Sequence, residues 1–159
     1  MHCSSYLALT HFTPVPLDKS YRLMNHGPTV LVSAQHGGVI NVMAAAWACV
    51  LDYGQTPRVT VVLDNATFTC EASGAFALQL PTRAMASLTV GVGKDSGRDV
   101  PDKLAKHGVR IFTAPGRDLP LVEGRVGWLA CRLVPEPHDQ QAYDLFIGEV
   151  VGAWADARV

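Results

Sequence analysis

The sequence predicts a mainly β domain, an antiparallel barrel with a few helices packed outside it. Three observations carry this. Fourteen glycines and ten prolines cut the 159 residues into short pieces. Roughly six or seven of those pieces read as strands, against two or three short helices. The helices do not alternate regularly with the strands, so a doubly wound parallel sheet is disfavoured, while hairpin links favour a barrel.

The elements follow in order. Thr29 to Ala34 is a β-branched, apolar stretch and reads as a strand. Gly37-Gly38 is a hairpin signal, and Val39 to Met43 is the returning strand. The run Ala44 to Ala48 fits a helix by propensity or an extended continuation by position. Pro57 opens the strand Arg58 to Leu63. Thr67 to Ser73 reads as a short helix closed by Gly74, and Phe76 to Leu80 as a strand. Thr82 is placed to cap a helix from Arg83 to about Leu88, and Gly91 to Gly97 reads as a loop. Asp99 is placed to cap a second helix that ends before Gly108. Val109 to Thr113, Gly127 to Val134 and Leu145 to Trp154 read as strands, with a turn at Glu136 to Asp139 between the last two. All of this fits one domain over residues 1–159.

Composition excludes several functions. The net charge is −1, with 13 basic and 14 acidic residues, so no basic stripe for nucleic acid is expected. The longest strongly apolar run, Val42 to Leu51, is about half of what a membrane-spanning helix needs. No secretory leader is read at the start of the chain, so the cytoplasm is the expected compartment. The charged fraction of 17% is low, which predicts apolar surface covered by a partner subunit. Cys3, Cys49, Cys70 and Cys131 form no C-x-x-C pair and are expected as free thiols.

Most familiar chemistry is missing. Gly91-x-Gly93 lacks the third glycine of a dinucleotide fingerprint, because position 96 is serine. Asp95 after Lys94 also excludes a P-loop. There is no G-x-S-x-G elbow and no pair of histidines at metal-ligand spacing, so neither a metal site nor a catalytic side chain is assigned. A chain with so few reactive groups points to a borrowed reagent.

Four segments, in order, resemble the flavin reductase-like family, the FMN-binding split barrels that include flavoredoxin and the reductase components of two-component monooxygenases. They are Val32-Ser33-Ala34 leading to Asn41-Val42-Met43-Ala44-Ala45-Ala46-Trp47; Val61-Val62-Leu63-Asp64 leading to Thr67-Phe68-Thr69; Ser96-Gly97-Arg98-Asp99 followed by Asp102-Lys103-Leu104; and Leu145 to Val151. Each is a weak motif alone; their order and spacing make the match specific. The resemblance implies a Greek-key-like antiparallel split barrel that binds FMN, with NADH or NADPH as electron donor. It also implies a homodimer and a monooxygenase or other electron acceptor.

The implied flavin site draws on Asn41, Met43, Ala44, Ala45, Ala46 and Trp47 from the first segment. The alanines either let a backbone approach the ring or simply pack tightly beside Trp47, and Asn41 either bonds the flavin or stabilises the hairpin. Leu63, Asp64, Asn65, Thr67 and Thr69 follow the next strand, where a helix start would offer free N–H groups to a phosphate. Ser96, Gly97, Arg98 and Lys103 add a hydroxyl, a close-approach glycine and two cations. Five of the 13 basic residues fall between Lys94 and Arg110, although Asp95, Asp99 and Asp102 nearly balance them. Gly148 implies a bulge or a close backbone approach.

The chain departs from the family's pattern in three places. Relatives often carry lysine at the position of Asn65, arginine at that of Cys70, and histidine just before the Phe-Ile-Gly run, where Tyr143 and Asp144 stand. The implied activity is an NAD(P)H-dependent FMN reductase, with hydride passing from nicotinamide C4 to flavin N5. The alternatives are an FMN-containing electron carrier of flavoredoxin type and a flavin-less split-barrel binding protein.

Overall fold

Two glycines at positive φ, Gly37 at 56° and Gly38 at 80°, send the chain back on itself. Such backbone suits a two-residue hairpin and costs glycine little. They join strands β2 (Val30–His36) and β3 (Val39–Ala45) in the computed structural model. It describes residues 12–24, 27–63, 72–114 and 116–158. The other described strands are β1 (Phe12–Pro14), β4 (Ala48–Asp52), β5 (Arg58–Val62), β6 (Ala75–Leu80), β7 (Ile111–Thr113), β8 (Pro120–Val122), β9 (Gly127–Val134) and β10 (Leu145–Asp156). Helices α1 (Ala86–Lys94), α2 (Lys103–Lys106) and α3 (Pro137–Tyr143) lie between them, with 3₁₀ turns at Leu17–Leu23 and Arg83–Met85.

The main sheet runs β3-β2-β6-β9-β10-β5-β4, with β1 added beside β10. Its neighbours pair antiparallel. β3 and β4 are the two ends of this path, yet only Ala46 and Trp47 separate them in sequence. If the sheet were flat, six spacings of ~4.8 Å would part them by about 29 Å. Three Cα–Cα steps span about 11 Å at most. The sheet therefore has to curl until its ends approach, and the open seam between β3 and β4 splits the barrel. The antiparallel split barrel expected from the sequence is the observed fold.

The strand period of two sorts residues to either side of the curled sheet. Val30, Val32 and Ala34 of β2 point into the barrel with Val59, Val61, Phe76, Leu78, Leu129, Phe146 and Val150. Leu31 points outward and packs with Val42, Met85, Val92 and Val122 under α1 and the β7–β8 hairpin. Two buried polar residues fasten that hairpin to the sheet. Gln79 donates from Nε2 to Ser33 Oγ at 2.7 Å and accepts the Val122 N–H at 2.7 Å. Ser33 Oγ donates to the Pro120 carbonyl at 2.5 Å, so the groups are paired where an unpaired one would cost about 1–3 kcal/mol. Gly148 makes a close approach: a Cβ there would lie 2.6 Å from Phe76 Cζ and 2.9 Å from Cys131 Cβ. The bulge of β10 falls instead between Val150 and Gly152.

Several elements differ from the sequence expectation. Of the two readings of Ala44–Ala48, the extended one holds, with β3 ending at Ala45 and β4 starting at Ala48. The segment read as a loop from Gly91 begins inside α1, which continues to Lys94. Each helical glycine costs about 1 kcal/mol against alanine, but a Cβ on Gly91 would strike the His107 ring and one on Gly93 would crowd the Ala44 Cβ at 3.1 Å. Thr82 precedes a 3₁₀ turn and makes no side-chain cap. Asp99 starts no helix: its N–H and that of Val100 both bond the Ser96 carbonyl, and α2 begins only at Lys103. The turn read at Glu136–Asp139 opens α3, with Pro137 in its first turn and Asp144 closing it at φ 51°. β1, β4 and β8 are additional strands. The Thr67–Ser73 helix lies mostly outside the described residues, as do Cys3 and Cys70. Cys49 and Cys131 are free thiols, and burial pushes the Cys131 thiol far up from its ordinary value. Among the described residues no helix is long and apolar enough to cross a membrane.

Candidate functional site

The expected site residues of the first segment divide between the two faces of β3. Asn41, Met43 and Ala45 stand opposite Ala34, Val32 and Val30, whose side chains enter the barrel. Ala45 is itself part of that core and only 6% exposed. Ala44 stands opposite Leu31 on the outer face. Ala46 and Trp47 are exposed in the link across the seam. The Trp47 carbonyl accepts the N–H of Val62 at 2.9 Å, which sets this link beside the end of β5. Leu63 follows directly, buried in the core, with its N–H donated to the Asp144 carbonyl at 2.9 Å. Asp64, Asn65, Thr67 and Thr69 lie outside the described residues.

The third segment meets the first. A Cβ on Gly93 would sit 3.1 Å from the Ala44 Cβ, and one on Gly97 would sit 3.6 Å from Asn41 Oδ1. The end of α1 and the loop after it therefore lie along β3. Ser96 organises that loop: its hydroxyl accepts the Arg98 N–H at 3.2 Å, and its carbonyl accepts from Asp99 and Val100 at 3.1 and 2.9 Å. Arg98 is exposed.

Lys103 is buried, with 3% of its surface exposed. Burial pushes its ammonium pKa below the ordinary value, and the Asp95 carboxylate partly opposes that. Asp95 is shared by other partners. Its Oδ2 lies 2.7 Å from Lys106 Nζ and 2.6 Å from His107 Nε2. The Lys106 hydrogen bond first, then that of His107, holds the Asp95 pKa below the usual carboxylate value. The His107 ring also lies against Gly91, in the place where a side chain would project.

Asn41, Ala44, Gly97 and the Ser96–Arg98 loop are thus brought together, while Lys103 opens α2 and feels the charge of Asp95. Ala45 and Leu63 are spent on the core, and Met43 packs against it. Sequence reasoning missed Gly93, Asp95 and His107 as builders of this corner. The signal for Gly93 was its small size; the Asp95–His107 contact spans twelve positions and had no local signal. Among the described residues no group of three or more His, Cys, Asp or Glu is placed to hold a metal ion.

The β3 edge adds unpaired backbone. Among the described residues β3 pairs with β2 alone, so alternate N–H and C=O groups along it point into the seam. That gives a row of donors beside small side chains, open to a flat polar ligand.

Comparison with known proteins agrees with this architecture. An FMN-binding domain of a flavin reductases-like enzyme from Shewanella baltica OS155 is 54% identical, with a TM-score of 0.89 over 93% of this chain and 78% of its own. Flavoredoxin of Desulfovibrio vulgaris (Miyazaki F) is 29% identical, with a TM-score of 0.69 over 83% of this chain and 71% of its own. The uncharacterized protein YddH of Escherichia coli K12 is 41% identical over 95% of this chain and 82% of its own length. The family profile described as the flavin reductase like domain matches residues 21–159. With nearly the whole chain matched, this protein belongs to the flavin reductase-like domain family.

Proposed function

We propose that this chain is an FMN-binding oxidoreductase that works as an NAD(P)H-dependent flavin reductase in a homodimer. The observation that carries the reading is the seating of Gly97 against Asn41. It gathers the family-like residues at one corner, in a chain 54% identical to a protein described as FMN-binding.

The residues suit the cofactor. FMN has a flat ring, a polar edge and a dianionic phosphate. Gly97 brings no side chain to the edge of β3, and Asn41 beside it offers a carboxamide to the polar edge. Outward N–H groups of β3 are suited to stabilise negative charge on that edge. Lys103 and Arg98 supply positive charge for the phosphate. Among the described residues the carboxylate that acts on Lys103 is Asp95, already engaged by Lys106 and His107, which suits the buried ammonium to an anion. When bound, FMN would supply the redox chemistry, as the acceptor of a hydride from NADH or NADPH and the donor of the two electrons to a monooxygenase or another acceptor. The chain itself binds, orients and shields, and none of its described side chains is assigned as a catalytic acid or base.

The partner surface has support of its own. Trp47 is 75% exposed, and Leu51 of β4 and Tyr53 just after it are exposed as well. Apolar surface of that kind is usually covered by another subunit.

Purified protein tests the reading directly. Bound flavin absorbs near ~450 nm, a property of the cofactor. Steady-state oxidation of NADH and NADPH is then followed with added FMN. Turnover that rises with free FMN is expected. Tight flavin with negligible NADH and NADPH oxidation indicates an electron carrier instead, and protein that binds no FMN overturns the proposal.

A further inference from the structure

On the outer face of the sheet, away from the corner just described, lies an open cleft of about 550 Å³. It shares no lining residue with that corner. Gln35, Arg117, Asp118, Leu119, Arg132 and Val151 are among its walls. Its size falls within the range of small-molecule sites, about 300–1,000 Å³.

Arg117 is the unusual member. It is half-buried, and its guanidinium lies 5.4 Å over the Trp154 ring. Trp154 in turn stacks on Trp128 at 4.0 Å with the planes 9° apart. Nη2 donates to the Val151 carbonyl at 3.1 Å. The β10 bulge makes room for this, since a side chain at Gly152 would collide with the Trp154 ring and crowd Arg117 Nη2 at 3.2 Å. A guanidinium has five N–H donors in a planar fork, and one hydrogen bond leaves most of them for other partners. Among the described residues Arg117 has no carboxylate at ion-pair distance. The other arginine differs: Arg132 is paired with Glu149 at 2.5 Å. A half-buried cation with no described carboxylate at ion-pair distance, on a rigid aromatic base and beside a cleft, suits an anion.

We propose that this cleft binds a small organic acid, its carboxylate forked onto Arg117 and its apolar body against Leu119, Val151 and Ala75. Asp118 opposes the anion and limits both affinity and the charge accepted. The site is independent of the FMN reading.

Benzoate serves as the probe and inorganic phosphate as the bare-ion control, titrated into the full chain with and without FMN and followed by NMR of the Trp154 indole and the Arg117 Nε–H. Saturable benzoate shifts at both groups are expected, with weaker binding of phosphate because it leaves the apolar wall uncovered. Arg117→Met should weaken benzoate about tenfold. Because Arg117 also packs on Trp154, Asp118→Asn gives a second test on an exposed residue: it should tighten benzoate about two- to threefold at low salt, with the gain lost at high salt. Non-saturating shifts, equal affinity in both variants, or competition between benzoate and FMN would each overturn the site.

Discussion

His107 Nε2 and Asp95 Oδ2 stand 2.6 Å apart, tying α2 to the end of α1 across the Ser96–Arg98 loop. Both residues flank the proposed flavin corner. Asp95 titrates below the ordinary carboxylate pKa of 3.8 because Lys106 and His107 hold its charge. A lowered carboxylate pKa stabilises the fold above the unfolded value, and that contribution disappears as pH falls through the folded value. Asp95→Asn is therefore expected to lower the melting temperature at pH ~6, with the gap to wild type narrowing as pH falls below the ordinary carboxylate range. An undiminished gap at the lower pH would show that the carboxylate charge is not what matters.

Lys103 gives a prediction with two signs. Its ammonium is buried, and burial depresses its pKa from 10.5. The cost is present at neutral pH and is relieved as pH rises past the unfolded value. Lys103→Met should leave the flavin-free protein at least as stable as wild type. The same change should weaken FMN binding about tenfold and leave riboflavin unchanged, since only FMN carries the phosphate. Fluorescence titrations of both flavins and a urea melt check this. Equal loss for both flavins would place Lys103 away from the phosphate.

The neighbouring alanines should behave differently. Ala45 is in the barrel core, so Ala45→Leu is expected to destabilise by about 1–3 kcal/mol by overpacking. Ala46 is exposed, so Ala46→Leu should stay within about 0.5 kcal/mol of wild type. Any loss of FMN affinity in Ala46→Leu then reports on the site rather than on folding. Denaturant unfolding without flavin separates the two cases.

At Gly148 an added Cβ meets Phe76 and Cys131, both buried. Gly148→Ala is expected to cost about 1–3 kcal/mol, read as a lower urea midpoint with an unchanged slope. A neutral result would mean that β10 yields easily at this point.

Trp47 offers a test of assembly. If its exposed ring is covered by a second copy, Trp47→Arg should shift light scattering from dimer to monomer while leaving the fold intact. Wild-type protein that is already monomeric would remove the homodimer.

Several strands and one hairpin were legible in local sequence. Gly37-Gly38, the β-branched run from Arg58 and the stretch Gly127–Val134 carry their conformations in local chemistry, and the structure has strands there. Four spaced segments also sufficed to mark the family. Only tertiary structure decided what the glycines between 91 and 97 do. Read locally they break a helix; in the fold, Gly91 and Gly93 extend it because His107 and Ala44 press against them. It also decided which alanine enters the core, since curling the sheet turns Ala45 inward and Ala44 toward α1. The closure itself was invisible in any window, because Ala46 and Trp47 join the two ends of a path that runs through the whole sheet. Contacts such as Asp95–His107 and Arg117–Trp154 join residues far apart in the chain, and no local pattern encodes them.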